Sequence, residues 1–352
     1  MTRSDAPTMN PLVLQRADPC VLRHGDEYFF TASHPEYDRI VLRRAAHLDD
    51  LQSAEEVTIW RRHEEGPLSH LIWAPEIHRV GGAWYIYFAA APDEEVDVDA
   101  PGMDDTFNHR MYVLENTAED PLSGQWVERG QIRTGWESFA LDATSVELGG
   151  SQYLIWAQQP LQGEGHSRLY ISRMETPWTL ATEPVELSRP EHDWERIGFT
   201  VNEGPAVLVR DGRLLLTYSA SATGVEYAMG LLTADTDADL LDPASWTKHA
   251  EPIFTSDPSA DRYGPGHNSF TTTAGGDVVL VYHARTYTDI VGDPLRDPNR
   301  HACAQVLPFA EDGTPQWGTP APATRPAPTS TEILTPKGER ACAAPPAPPS
   351  RL

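Results

Sequence analysis

Short apolar runs recur in pairs along this chain, each pair folded about a glycine. Runs rich in Val, Ile, Leu, Tyr and Phe flank Gly25, Gly82, Gly150, Gly212 and Gly276. The five stretches are ADPCVLRHGDEYFFTAS from Ala17, WAPEIHRVGGAWYIYFAAA from Trp73, LDATSVELGGSQYLIWAQ from Leu141, NEGPAVLVRDGRLLLTYSA from Asn202 and GHNSFTTTAGGDVVLVYHAR from Gly266. A Gly-Gly or Asp-Gly step between apolar runs signals a tight β-hairpin, because its central residues need positive φ. Each stretch therefore predicts two antiparallel strands. The glycines fall at intervals of 57, 68, 62 and 64 residues. Further strand-like pieces lie between the copies, RMYVLENT at 110–117 and RLYISRME at 168–175. Four short strands repeated about every 60 residues make one propeller blade each. The expected fold is all-β, a five-bladed β-propeller. A β-sandwich with coincidental hairpins is the alternative, and the constant glycine register disfavours it. No helix-length amphipathic pattern stands out, which disfavours a doubly wound α/β fold.

Composition agrees. The 352 residues are 40% hydrophobic, enough for a large core, and contain 31 Pro and 25 Gly, as a turn-rich β protein needs. Residues 1–9 read as an N-terminal extension, 10–318 as the propeller and 319–352 as an extended, poorly ordered Pro/Ala-rich tail. Residues 94–105 (EEVDVDAPGMDD) lack strand character and read as a solvated acidic loop, in preference to a substrate gate.

The formal charge is −25. Such a surface repels phosphate backbones and anionic lipid, so neither nucleic acid nor membrane is an expected partner. A neutral substrate such as a carbohydrate is compatible. Three cysteines, Cys20, Cys303 and Cys342, form no disulfide framework and no zinc motif. The N-terminal residues show no apolar signal region and no stretch is long enough to span a bilayer. A cytoplasmic location is the simplest expectation, with secretion the alternative if a signal has been trimmed.

Chemistry enters through three acids. Asp18, Asp142 and Glu203 each open the first run of a repeat. In a propeller those first strands line the central channel, so acids far apart in sequence converge at one mouth. Opposed carboxyl groups suit glycoside hydrolysis, and a third nearby raises the proton affinity of its neighbour. An Asp before Pro, as at Asp18, is by itself only a common turn opening. Three acids in register within the repeats make the functional reading the stronger one.

With these pieces in place the chain resembles glycoside hydrolase family 43, the propeller arabinofuranosidases and xylosidases. The resemblance rests on ADPCVLRHGDEYFFTAS, HLIWAPEIHRVGGAWYIYFAAA, LDATSVELGG, NEGPAVLV, and YGPGHNSF followed by YHAR. It implies an inverting hydrolase with Asp18 as general base, Glu203 as general acid and Asp142 as the modulator of Glu203. Many family members carry Asp-Pro at the modulator, whereas this chain has Asp142-Ala143. The LDAT form, with HLIWAPEIH and HRMYVLEN, is similar to the branch acting on arabinofuranosides, including exo-acting enzymes on 1,5-linked arabinan. The resemblance also implies Trp73, Thr144 and Arg285 as substrate-binding residues. It implies no cofactor for the chemistry, and a cation, commonly calcium, held through water near His267. A β-D-xylosidase or dual-specificity enzyme is the nearest rival, and a carbohydrate-binding propeller without catalysis is the rival from another class.

Overall fold

The computed structural model describes residues 6–100, 102, 104–329, 331–334, 340 and 341. Five antiparallel sheets follow one another along the chain. Blade 1 runs outward through Ala17–His24, Glu27–Ser33, Arg39–Ala45 and Val57–Arg61. Blade 2 uses His70–Val80, Ala83–Ala91, Arg110–Asn116 and Val127–Gln131. Blade 3 uses Ala140–Leu148, Ser151–Gln158 and Arg168–Thr176, edged by the short Thr179–Leu180 and Val185–Ser188. Blade 4 uses Asn202–Arg210, Arg213–Ala220, Ala228–Asp235 and Thr247–Lys248. Blade 5 has Tyr263–Thr272, Val278–Arg285 and His301–Val306. The first strand of each blade touches the first strands of both neighbouring blades, so the five close into a ring. The helical segments among the described residues are single 3-10 turns.

The five turn glycines all have positive φ, from 60° at Gly25 to 89° at Gly276. In blades 2 and 3 both turn residues are glycines with positive φ, and in blade 4 Asp211 and Gly212 have φ of 50° and 77°. These are the primed turns whose twist matches that of the flanking strands.

Each sheet is apolar on both faces because it is sandwiched between two others. Period-two alternation divides the second strands between neighbouring cores. In blade 2, Trp84, Ile86 and Phe88 pack toward blade 1, against Phe29 and Ile40. Tyr85 and Tyr87 turn the other way, toward Leu154 and Trp156 of blade 3. Ile155 and Leu169 then meet Leu214 and Leu216 of blade 4. Met229 meets Leu280 and Tyr282 of blade 5. Val279 and Val281 meet Val21 and Phe30 of blade 1, which completes the circle.

Blade 5 borrows its fourth edge from the N-terminus. Leu12 and Val13 bond to Ala302 through the backbone, at 2.6 and 3.1 Å, and Ala302 returns a bond to Val13 at 2.9 Å. Asn10 brackets Ala304, donating to its carbonyl and accepting from its amide, both at 2.9 Å. The described part of the Pro/Ala-rich segment crosses this seam. Arg325 donates to the Leu12 carbonyl at 2.8 Å, and Gln15 bonds to Glu332 and Leu334 at 2.8 and 2.7 Å. Arg340–Ala341 pairs in parallel with Val57–Arg61. Residues 335–339 and 342–352, with Cys342, lie outside the described residues. Cys20 and Cys303 are buried free thiols.

Candidate active site

The first strand of every blade is interrupted at the same place. A β-bulge falls between Ala17 and Cys20, Trp73 and Glu76, Leu141 and Thr144, Glu203 and Ala206, and Gly266 and Ser269. One residue in each bulge has positive φ: Asp18 at 54°, Ala74 at 45°, Asp142 at 57°, Gly204 at 54° and His267 at 44°. Bulges re-aim side chains, and non-glycine residues held in the left-handed region cost about 1–3 kcal/mol each. Three blades accept that strain to turn Asp18, Asp142 and His267 into the channel. The acids are therefore not in strict register. Asp18 and Asp142 occupy the positive-φ position, whereas Glu203 stands one residue before it, with Gly204 in that position.

The bulges line one cavity of about 110 Å³. Asp18, Trp73, Asp142, Glu203 and His267 all face it, one from each blade, together with Arg300 from the loop before the last strand of blade 5. A vestibule of about 620 Å³ continues outward between Asp104, Phe107, His166, Phe199 and Asp293. Part of the acidic 94–105 segment is thus wall rather than free loop. Val96–Asp97 pairs with Thr106–Phe107, and Glu94 pairs with Arg296 at 2.9 Å, close in sequence to the vestibule residues Val96 and Leu295.

Asp18 is buried and held on every side. Ser33 donates to Oδ2 at 2.6 Å and Arg300 to Oδ1 at 3.3 Å. The His267 and His283 Nδ1 atoms stand 3.4 and 3.3 Å from Oδ1. Burial alone would raise its pKa, but His267, Arg300 and His283 outweigh it and hold Asp18 well below the carboxylate range. Burial also drives His267 toward its neutral form and lowers His283 to about 3, so Arg300 is the lasting counter-charge. Arg300 is itself fixed by Tyr37, to whose hydroxyl Nη2 donates at 2.9 Å.

The other two acids are pushed the opposite way. Asp142 accepts from the Gly204 amide at 3.0 Å. Its pKa is raised by burial, then by Glu203 and Asp18. Glu203 is partly exposed to the cavity and accepts from the Tyr227 hydroxyl at 2.8 Å. Burial raises it to about 7 against that hydrogen bond, with Asp18 adding to the rise. The two form a coupled pair that retains a proton above the usual carboxylate range, because neighbouring carboxyls resist simultaneous ionisation. One acid held ionised and a pair holding a proton are the parts of an acid–base machine.

Trp73 stacks on buried His109, ring centroids 4.0 Å apart, and its indole N–H has no partner among the described residues. His109 bonds to the Leu71 carbonyl at 2.9 Å, and burial lowers its pKa to about 3, so this platform is uncharged at neutral pH. Two expected binding residues do not reach the cavity. Thr144 is buried in its strand opposite Ile155. Arg285 is buried with its guanidinium on the Thr223 and Pro294 carbonyls, where it braces the loops behind the site. Arg300 has the place facing the acids. Nothing marked Arg300 or Tyr227 in the sequence, since neither falls in a repeated stretch.

The His267 Nδ1 lies 3.4 Å from Asp18 and 3.9 Å from Asp142, and among the described residues these side chains do not form a compact set of direct ligand atoms. The compact set of ligand atoms is His34, Glu36 and Asp38, where Arg39 already pairs with both acids.

The family model for glycosyl hydrolases family 43 matches residues 8–315. Alpha-L-arabinofuranosidase 43 of Humicola insolens is 50% identical over 317 residues, covering 89% of this chain and 64% of the relative. The chain thus spans just under two thirds of that protein's length. Extracellular exo-alpha-(1->5)-L-arabinofuranosidase of Streptomyces chartreusis is 52% identical over 291 residues, 82% of this chain and 86% of that one. The crystal structure of alpha-L-arabinofuranosidase from Lactobacillus brevis matches with a TM-score of 0.87 at 50% identity, covering 90% of this chain and 98% of that one.

Proposed function

The chain belongs to glycosyl hydrolases family 43, and from that premise we propose that it is an inverting hydrolase releasing terminal α-L-arabinofuranosyl units from arabinan, arabinoxylan or their oligosaccharides. The observation that carries this reading is the pairing of an ionised acid with a proton-holding pair on one cavity, in a chain about half identical to proteins named arabinofuranosidases.

In this mechanism Asp18, kept charged by Arg300, accepts a proton from the attacking water. Glu203 gives its proton to the departing glycosidic oxygen. Asp142 raises the proton affinity of Glu203 and is anchored by the Gly204 amide. Water attacks the face opposite the leaving group, so the product has the inverted anomeric configuration, which requires the two working carboxyls to stand roughly 6.5–9.5 Å apart. Trp73 offers an uncharged aromatic face to the sugar ring. No cofactor takes part. The cation implied near His267, held through water, has no step in this reading. The adjoining vestibule has the size and place to receive the remainder of the substrate. The cytoplasmic expectation has no support, since a relative of high identity is named extracellular. No helix among the described residues is long and apolar enough to cross a membrane.

The test is a panel of aryl α-L-arabinofuranoside, aryl β-D-xyloside, arabinan, arabinoxylan and xylo-oligosaccharides, with the product anomer followed by proton NMR. Release of β-L-arabinose from the α-linked substrates supports the reading. Preferential xylose release makes the protein a xylosidase. Binding without turnover makes it a lectin, and initial retention removes Asp18 as base.

A further inference from the structure

Tyr227 sits beside Glu203 but belongs to no repeated stretch. It lies just before Ala228–Asp235, the third strand of blade 4, and is almost wholly buried. Its ring stacks parallel to His283, centroids 5.5 Å apart and planes 9° apart. His283 lies 3.2 Å from the Asp18 amide through Nδ1. The Gly264-Pro265-Gly266 run of blade 5 sets the edge of the ring. A Cβ at Gly266 would stand 2.4 Å from the Tyr227 ring, and one at Gly264 would stand 2.2 Å from the Gly224 carbonyl. The glycines therefore make the slot in which this ring fits, and among the described residues the hydroxyl has one hydrogen-bond partner, Oε1 of Glu203 at 2.8 Å.

We propose that Tyr227 is the positioning residue of the acid: it holds Oε1 of Glu203 as an acceptor, so that the transferable proton resides on Oε2. The inference rests on Glu203 being the acid. A carboxyl group swings about its last side-chain bond, and either oxygen can carry the proton. A donor fixed on one oxygen removes that choice and points the other toward the leaving group. The same bond tempers the acid, since a donor to the charged form lowers proton affinity. It offsets part of what burial and Asp18 do to Glu203. Tyr227 stays a donor throughout, because burial and the surrounding acids keep its phenol protonated. The other charged or titratable groups on this cavity are Asp18, Asp142, Arg300, His267, His166 and Asp105, and Tyr227→Phe keeps every one of these side chains.

Tyr227→Phe keeps the ring, the stack and the filled slot, and deletes only the hydroxyl. On arabino-oligosaccharide, whose leaving group must be protonated, kcat/KM is expected to fall about 10-fold or more. On an aryl arabinofuranoside with an acidic phenol it should fall less than about threefold, because that leaving group needs little help. The alkaline limb of kcat/KM should move up by about half a pH unit or more. Equal losses on both substrates with an unmoved limb overturn the proposal. Glu203→Gln, measured beside it, separates the two claims. Full turnover of oligosaccharide by Glu203→Gln removes Glu203 as the acid. A dead Glu203→Gln beside a Tyr227→Phe variant that matches the parent on both substrates removes only the role of Tyr227.

Discussion

Arg300 reaches Asp18 from a loop 282 residues away, and with His267 and His283 it sets the lower edge of the working pH range. A carboxylate lowered by a neighbouring guanidinium is already ionised in mild acid, so the acid limb of activity should lie below the usual carboxylate range. The alkaline limb belongs to Glu203, whose pKa of about 7 means that activity is lost as pH rises through neutrality. Arg300→Met removes the counter-charge from buried Asp18. Its acid limb should then rise by about 1–2 pH units while the alkaline limb moves little. A pH profile of kcat/KM from about pH 3 to 9 checks this, and coincident profiles would remove Arg300 as the counter-ion. At this scale the sequence displayed the acids, because each opens a recognisable repeat. It hid their partners, because Arg300, Tyr227 and Ser33 are ordinary residues until the ring brings them within 3.5 Å of an acid.

Within a single hairpin, two kinds of glycine behave differently. Gly212 closes a hairpin at φ 77° with open space around its Cα, so Gly212→Ala meets only the backbone penalty of about 1 kcal/mol. Gly204 has φ 54°, and an added Cβ would press on the His267 ring at 3.0 Å. Gly204→Ala should destabilise by about 2–4 kcal/mol, strain and crowding together, and should also disturb the amide that anchors Asp142. Thermal melts with kcat/KM decide it. Gly212→Ala should keep its activity at a slightly lower Tm, whereas Gly204→Ala should lose both. Equal activity in the two variants would mean that the bulge tolerates adjustment. The turn glycines were legible because hairpin stereochemistry is local. The bulges were not, because an extra residue in a strand is defined by its partner strand. For that reason the three acids seemed equivalent in the sequence, although Glu203 stands one residue ahead of the position held by Asp18 and Asp142.

Across the whole ring, stability depends on one seam. Blade 5 is finished by residues 12 and 13, and Asn10 clips them to Ala304 with two hydrogen bonds. Asn10→Ala removes both bonds and leaves two buried backbone groups of Ala304 unsatisfied, a loss of about 2–4 kcal/mol. Urea unfolding should show the midpoint falling with unchanged m-value if the ring still opens as a unit. A separate early transition would mean that blade 5 detaches alone. The period of hydrophobic runs, the turn glycines and the order of acids fixed five two-faced sheets and named three carboxylates, since those are matters of local stereochemistry and burial. Which acid stays charged and which keeps its proton was decided only by the folded ring. Charge state depends on distance, burial and counter-charge, and here all three come from residues drawn together from opposite ends of the chain.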